Sequence, residues 1–339
     1  MVATMDIKFS FIIPVYNINN FLEKCLTTLI EQRGNDIEII VVDDGSTDGS
    51  SNICDAFSKK DKRIRVFHKE NGGLVSARKY GMSMASGEYV SFVDGDDWIS
   101  DNYIDNFRRI VEKYSPEIIC CSFFDSYPSN DVPNLIFSRE GLYSKKEIES
   151  EIFPYLLQKS DGTYFTHSIW AKMFKKDLYS PFQEKVDSKI TIGEDAACVI
   201  PLITKATRIF ITKKCLYYYR HNISSMTNGK KVFAWQNVDL IKEHFESNLD
   251  LDLVDFRDQY YRFMVRRIFL TAISQFYLNE KYRITKKTLV QSLSNYDSIV
   301  GNAHFSSLKF SFISRVLKKK NCFVLRLLSV IRQRKFRKL

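Results

Sequence analysis

Apolar runs recur through the first third of this chain with a regularity that few folds can accommodate. They fall at residues 9–13, 37–42, 64–67, 89–93 and 118–123, roughly every 24 to 30 residues. Each is short and dominated by Ile, Val and Phe, as strands buried on both faces are. Between them, residues 21–32, 51–59, 75–85 and 103–114 carry apolar side chains at helical spacing. Strand and helix alternating at this interval predict βαβ units around a parallel sheet. In such sheets a ligand sits beyond the carboxyl ends of the strands, near the point where strand order reverses.

The fourth run ends in Asp94-Gly95-Asp96-Asp97, followed by Trp98. Three carboxylates in four positions at a strand's carboxyl end suit a hard divalent cation. Mg²⁺ takes one or two carboxylates and completes its shell with substrate phosphates. A polar turn is the plain alternative, because Asp and Gly are the usual turn residues. The second run also ends in acids, Asp43-Asp44-Gly45-Ser46-Thr47-Asp48. Ser46, Thr47 or Asp48 suits a cap for the next helix. An ionised carboxylate at the same edge accepts hydrogen bonds only, as from the N–H of a base or the hydroxyls of a ribose. The third run leads into Asn71-Gly72-Gly73 and then Arg78. Arg78 falls in the first turns of a helix, near its partly positive end, and a simple surface charge is the competing reading. No G-x-G-x-x-G follows the first run and no G-x-x-x-x-G-K-[ST] occurs, which removes the dinucleotide fingerprint and the P-loop.

Five segments then stand in a specific order and spacing. They are SFIIPVYN (Ser10 to Asn17), VDDGSTD (Val42 to Asp48), Asn71-Gly72-Gly73 with Ala77-Arg78 and Gly81, ASGEY (Ala85 to Tyr89) and DGDD (Asp94 to Asp97). Over about residues 7–120 the chain resembles glycosyltransferase family 2, with the GT-A fold. The resemblance implies an α/β, Rossmann-like architecture: a mostly parallel central sheet flanked by helices, with a helical C-terminal region. It implies transfer of a sugar from a nucleotide-sugar, usually UDP-linked, with inversion at the anomeric carbon and a divalent metal, Mn²⁺ or Mg²⁺. Residues 1–124 are then the nucleotide-sugar-binding half, 125–230 the acceptor-binding half, 231–310 a helical region and 311–339 a basic amphipathic tail.

Position by position, the resemblance assigns Pro14 and Val15 to the base pocket, Asp44 to the base and Arg78 to the nucleotide. Asp96 becomes the direct metal ligand. Asp94 becomes a second metal ligand, or touches ribose or a metal-bound water. Lys79 stands where the family often has Asn, and Gly95 where Ser is common. Farther on, Glu194-Asp195 opens the apolar segment 196–203, where acids at a helix N-terminus are favoured by the dipole. The same pair, with Trp170-Ala171-Lys172 before it, resembles the family's E-D and W-x-K motifs. That implies Asp195 as general base and Glu194 in support, with Trp170 and Lys172 shaping the acceptor pocket or simply packing. Within Leu216 to Met226 the triple Tyr suits a strand, and a lone His is usually structural. The family reading instead brings Arg220 and His221 near the diphosphate, with His221 as a metal ligand.

With 339 residues, 45% of them apolar, the chain can build one large domain with an appendage, or two domains. Seven scattered cysteines form no C-x-x-C pair and no zinc spacing, the pattern of ordinary thiols in a reducing cytosol. No apolar stretch reaches the ~20 residues of a spanning helix, and residues 9–15 lack a signal-peptide cleavage site. The net charge of +10 is local. Residues 315–339 hold ten basic residues and no acid, which leaves the rest of the chain with 40 of each sign. Bulky apolar residues interleave with those charges, which suits an interfacial helix on an anionic membrane surface. Nucleic acid offers the same charge, but no binding motif for it accompanies the tail. The resemblance and the basic tail together imply a transferase on the cytoplasmic membrane face, acting on a saccharide or lipid-linked saccharide acceptor. The rivals are transfer to a soluble or protein acceptor, and a non-catalytic nucleotide-sugar-binding scaffold.

Overall fold

The computed structural model describes residues 8–221, 231–278 and 280–336. It divides into two compact units. One comprises the chain up to Ile148 together with His167–Arg220; the other comprises Glu149–Thr166 and the chain from His221 on.

The first unit is built on a mixed sheet. Strands β1 (Phe9–Val15), β2 (Ile37–Asp43), β3 (Ile64–His68) and β4 (Tyr89–Phe92) alternate with helices α1 (Asn19–Ile30), α2 (Ser50–Lys60) and α3 (Leu74–Met84). Every residue of β1, β2 and β4 is buried, as expected of strands covered on both faces. These four strands are parallel and lie in the order β3-β2-β1-β4. The chain therefore leaves β1 toward β2 and β3, then crosses back to the other side of β1. That reversal puts the switch point between the carboxyl ends of β1 and β4, where Asp94 emerges.

Beyond β4 the sheet departs from a simple parallel continuation. After the short β5 (Trp98–Ile99) and α4 (Tyr103–Tyr114) comes β6 (Ile118–Ser126), which is not the neighbour of β4. Strand β9 (Lys172–Lys175) lies between them, antiparallel to both. Strand β10 (Arg208–Arg220) then pairs parallel with β6 and antiparallel with β5 and β8 (Gly141–Ser144). Residues 126–134, rich in turn formers, hold a strand as well as a loop: Tyr127 N–H bonds Asn130 carbonyl, and β7 (Asp131–Asn134) returns along β6. Its Pro133 is tolerated because β7 pairs on one side only.

A single turn α5 (Lys145–Glu147), then α6 (Lys176–Lys185) and α7 (Glu194–Lys205), complete this unit's helices among the described residues. The seven cysteines are free thiols.

The second unit is helical: α8 (Trp235–Asn248), α9 (Phe256–Ser274), α10 (Tyr282–Ser294), α11 (Asp297–Asn302), α12 (Leu308–Lys318) and α13 (Cys322–Phe336). Phe245, Phe256, Met264 and Ile268 are buried at its centre. The apolar periodicity of 255–282 predicts one helix, but α9 ends at Ser274, with neither Gly nor Pro to stop it. The Ser274 hydroxyl donates to Thr271 carbonyl and accepts from Phe233 N–H, while Gln275 Nε2 donates to Phe233 carbonyl. Side chains binding an outside segment of backbone end the helix there. Residues 149–166 join this unit through Gln259, which accepts from Leu157 N–H and donates to Phe153 carbonyl.

Candidate active site

Helix α3 approaches β1 closely because Gly81 has no side chain. A Cβ there would lie 2.5 Å from Ile12 Cγ2. Arg78 lies three residues earlier on the same helical face and is only 2% exposed. Its Nη2 donates to Asp94 Oδ1 at 3.1 Å and its Nη1 to Asp195 Oδ1 at 2.7 Å. Glu194 Oε1 is 3.7 Å from the same Nη1. Asp195 Oδ2 accepts the Ile169 N–H at 3.1 Å. One guanidinium thus gathers the carboxylate after β4 and the acidic pair that opens α7.

Three carboxylates around one guanidinium leave negative charge in excess. Burial pushes the Asp94 carboxyl up to about 6; Arg78 pulls against this, while Asp195 and Asp96 add to it. Burial and the neighbouring Asp195 push Glu194 up to about 7. Burial alone would loosen the Arg78 proton, but the three carboxylates more than reverse that. Carboxylates raised in this way at the carboxyl ends of the strands mark a candidate functional site.

Asp97 takes a different part. It is 1% exposed and accepts from Tyr217 Oη at 2.7 Å and from Arg220 N–H at 2.8 Å. Tyr217 Oη in turn accepts Asp94 N–H at 3.2 Å, and Arg220 Nε donates to Asp96 carbonyl at 2.6 Å. Burial, with Asp96 and Asp94 adding to it, pushes Asp97 well above the carboxylate range. The acidic turn is therefore fastened to the end of β10 through Asp97, Tyr217 and Arg220, which leaves Asp96 partly open to solvent. Sequence reasoning missed Asp97 and Tyr217. The available signal was strand alternation: Tyr217 and Tyr219 share one face, where both stack on Trp170, while Tyr218 turns the other way onto Trp98.

The remaining sequence candidates are distributed as follows. Pro14 and Val15 are buried in β1, and Val15 belongs to the hydrophobic core, so the aromatic exposed at that edge is Tyr16. Asp44 is buried too. Its oxygens accept from Gly72 N–H, Gly73 N–H and Lys69 Nζ, which pins the turn into α3. Trp170 lies between the Tyr pair and Phe123, half-buried. Lys172 is 1% exposed, and its Nζ donates to Ser168 carbonyl at 2.7 Å, beside the Ile169 N–H that holds Asp195. Burial lowers its pKa. Arg220 lies over Trp98 and Phe21. His221 falls in the second unit, and residues 222–226 of the expected segment lie outside the described residues.

Among the described residues, no three His, Cys, Asp or Glu side chains stand together as a metal cluster. Two carboxylates, Asp94 and Asp96, still fit a hard cation whose other ligands are phosphate oxygens and water. Asp94 has one oxygen on Arg78 and the other without a partner within the turn.

A doubly wound α/β unit with an arginine-bound acidic cluster at its switch point belongs to the class of folds that take a ligand beyond the carboxyl ends of their strands. Residues 10–177 match the family model for "Glycosyl transferase family 2". Glycosyltransferase GlyG of Streptococcus pneumoniae serotype 4 is 32% identical over 67% of this chain and 75% of its own length. The minor teichoic acid biosynthesis protein GgaB of Bacillus subtilis is 28% identical over 86% of this chain. The match spans 33% of GgaB, and less than two thirds of two other curated relatives. The crystal structure of S. aureus TarS 1–349 in complex with UDP superposes with a TM-score of 0.66 at 19% identity, over 98% of this chain and 91% of that one. The chain belongs to glycosyl transferase family 2, and its fold is of the GT-A kind.

Proposed function

We propose that the protein moves a sugar from a nucleotide-sugar, UDP-linked, to a hydroxyl of a membrane-held saccharide acceptor, inverting the anomeric centre, in the building of a cell-surface polysaccharide. The observation that carries this reading is the Arg78 clamp, which ties the acids at the nucleotide edge to Asp195. On this reading residues 1–124 bind the donor and 125–230 meet the acceptor, with 231–310 and 311–339 as helical and basic additions. The S. aureus TarS crystal structure holds UDP, and GgaB is a minor teichoic acid biosynthesis protein; both support the assignment.

The chemistry follows from the residue types. The acceptor oxygen bonds to the anomeric carbon on the face opposite the diphosphate, and the carbon–phosphate-oxygen bond breaks as the diphosphate leaves. The acceptor's proton passes to Asp195 as general base, a carboxylate oriented by Arg78 and Ile169 N–H. Glu194 stands beside it as a second proton site. Mg²⁺ or Mn²⁺, held by Asp96 with Asp94, would offset the negative charge of the leaving diphosphate as a Lewis acid. Tyr16 offers a face for the base, Asp44 shapes the loop beside it, and Arg220 stands at the diphosphate end.

The test is donor hydrolysis and transfer with UDP-, GDP- and dTDP-sugars in Mn²⁺ or Mg²⁺, comparing wild type with Asp96→Ala and Asp195→Asn. Asp195→Asn is expected to keep donor affinity while turnover falls by about 10²–10⁴. Asp96→Ala is expected to lose metal-dependent donor binding. Wild type showing neither turnover nor metal-dependent binding with any donor would overturn the proposal in favour of a non-catalytic scaffold.

A further inference from the structure

The chain carries no acid after Asp297, and the helices α12 and α13 sort the residues of that stretch by face. On α13, Cys322, Leu325 and Ser329 are buried, spaced three and four apart. The other side exposes Phe323, Arg326, Leu327, Val330, Ile331 and Arg334 in one continuous stripe. Phe323 is 72% exposed and Ile331 53%. On α12, Ile313, Val316 and Leu317 are buried, while Leu308, Phe312, Arg315 and Lys319 form a second stripe at spacings of four, three and four. The segment is therefore no loose basic tail. Its buried stripes anchor it in the helical unit and fix which residues face outward.

Two of the basic residues are already engaged. Lys318 Nζ donates to Gly301 carbonyl and Lys320 Nζ pairs with Asp297. Arg326 leans on the Tyr282 ring, and its neighbours on the stripe are aliphatic.

We propose that the outward stripes of α12 and α13 dock the protein on an anionic lipid bilayer, with Phe323, Leu327, Val330 and Ile331 in the acyl boundary and Arg315, Lys319, Arg326 and Arg334 among the headgroup phosphates. Bulky apolar side chains held outward in a continuous stripe want an apolar partner. Basic groups without acids want an anionic one. A bilayer with acidic headgroups supplies both at the depth such a helix reaches. A second copy of the chain would set basic stripe against basic stripe. A nucleic acid would leave the aliphatic side chains in water. None of the described helices is long and apolar enough to cross a membrane, so the contact lies along the surface. The inference stands apart from the donor site.

The full chain is floated with vesicles of phosphatidylcholine alone and with vesicles that also contain phosphatidylglycerol. Binding to the anionic vesicles is expected to exceed neutral binding by about tenfold or more and to weaken as salt rises. Leu327→Ser with Ile331→Ser is expected to lower it by about tenfold, and Arg326→Gln with Arg334→Gln by a similar factor and with a flatter salt dependence. Both pairs are exposed, so melting and donor hydrolysis in solution should match wild type. Equal binding to neutral and anionic vesicles, or an unchanged serine variant, overturns the proposal. So does a stable dimer that the serine pair dissociates, or binding to duplex DNA but not to vesicles. Vesicle binding without donor hydrolysis would overturn the transferase reading alone, and hydrolysis without vesicle binding would overturn this one alone.

Discussion

Two strand ends in this protein look alike in sequence and behave oppositely. β2 ends in Asp43 and is followed by Asp44; after β4 come Asp94, Asp96 and Asp97. At the first edge donors are plentiful. Asp43 accepts from Ser46 N–H, Ser51 Oγ and His68 Nδ1, and Asp44 from two glycine N–H groups and Lys69. Burial alone would raise Asp43, but hydrogen bonds from Ser46, Ser51 and His68 bring it below its ordinary value. At the second edge burial and neighbouring acids prevail, and Asp94 and Asp97 are pushed up instead. Acidity in the sequence says little by itself. The balance of hydrogen-bond donors against burial and like charge separates the edge whose acids hold loops together from the edge whose acids are raised.

The largest test of that contrast is Arg78, the principal donor at the second edge. Arg78→Met should cost about 3–5 kcal/mol, the penalty for breaking a buried ion pair, and should lower turnover by about a hundred- to thousandfold. Arg78→Lys should not restore turnover, because a point charge cannot hold Asp94 and Asp195 at once. An Arg78→Met protein with wild-type unfolding midpoints would erase the distinction between the edges.

A smaller effect comes from removing one acid at each. Asp44→Ala leaves two N–H groups and Lys69 without their acceptor, which should cost about 1–3 kcal/mol in chemical denaturation. Asp96→Ala should cost less stability than Asp44→Ala while abolishing metal-dependent donor binding. The comparison breaks if the two exchange places.

The last test reads a slope rather than a step: a pH dependence of opposite sign. An unfolded Glu titrates near 4.3, and Glu194 in the fold titrates near 7. Its contribution to stability is complete below about pH 4.3 and is lost as pH rises toward 7. Glu194→Gln should therefore gain on wild type across that window, by at most about 1.4 kcal/mol per pH unit. Asp43, lowered in the fold, works the other way, and its contribution disappears only as pH falls through its folded value. Urea midpoints of wild type and Glu194→Gln across that window check the sign.

The parallel block β3-β2-β1-β4 was legible because strands buried on both faces must be apolar along their length, and because helices recur between them. The position of β9 was not. Lys172-Met173-Phe174-Lys175 is too short to announce a strand, and its insertion between β4 and β6 depends on sheet edges that only the fold creates. Asp94, Asp96 and Asp195 could be singled out from their motifs. The contact that unites Asp195 with Arg78 joins residues 117 apart and leaves no local trace. Lys172 reads as a polar candidate in sequence, but in the fold it serves Ser168 from a buried position. The tail's charge was obvious, yet only the helix faces show which basic residues are already spoken for.

The second unit also sets an order of events at the ribosome. Phe153 hydrogen-bonds to Gln259, 106 residues later. At about 5–20 residues per second, residues 149–166 leave the ribosome roughly 5 to 20 seconds before the helix that receives them has been made. During that interval Phe153 and Leu157, both buried in the finished fold, lack the Gln259 side chain that their backbones bond. Slow translation of α9 would lengthen that interval, so the choice of codons there bears on how much of the protein reaches its native state.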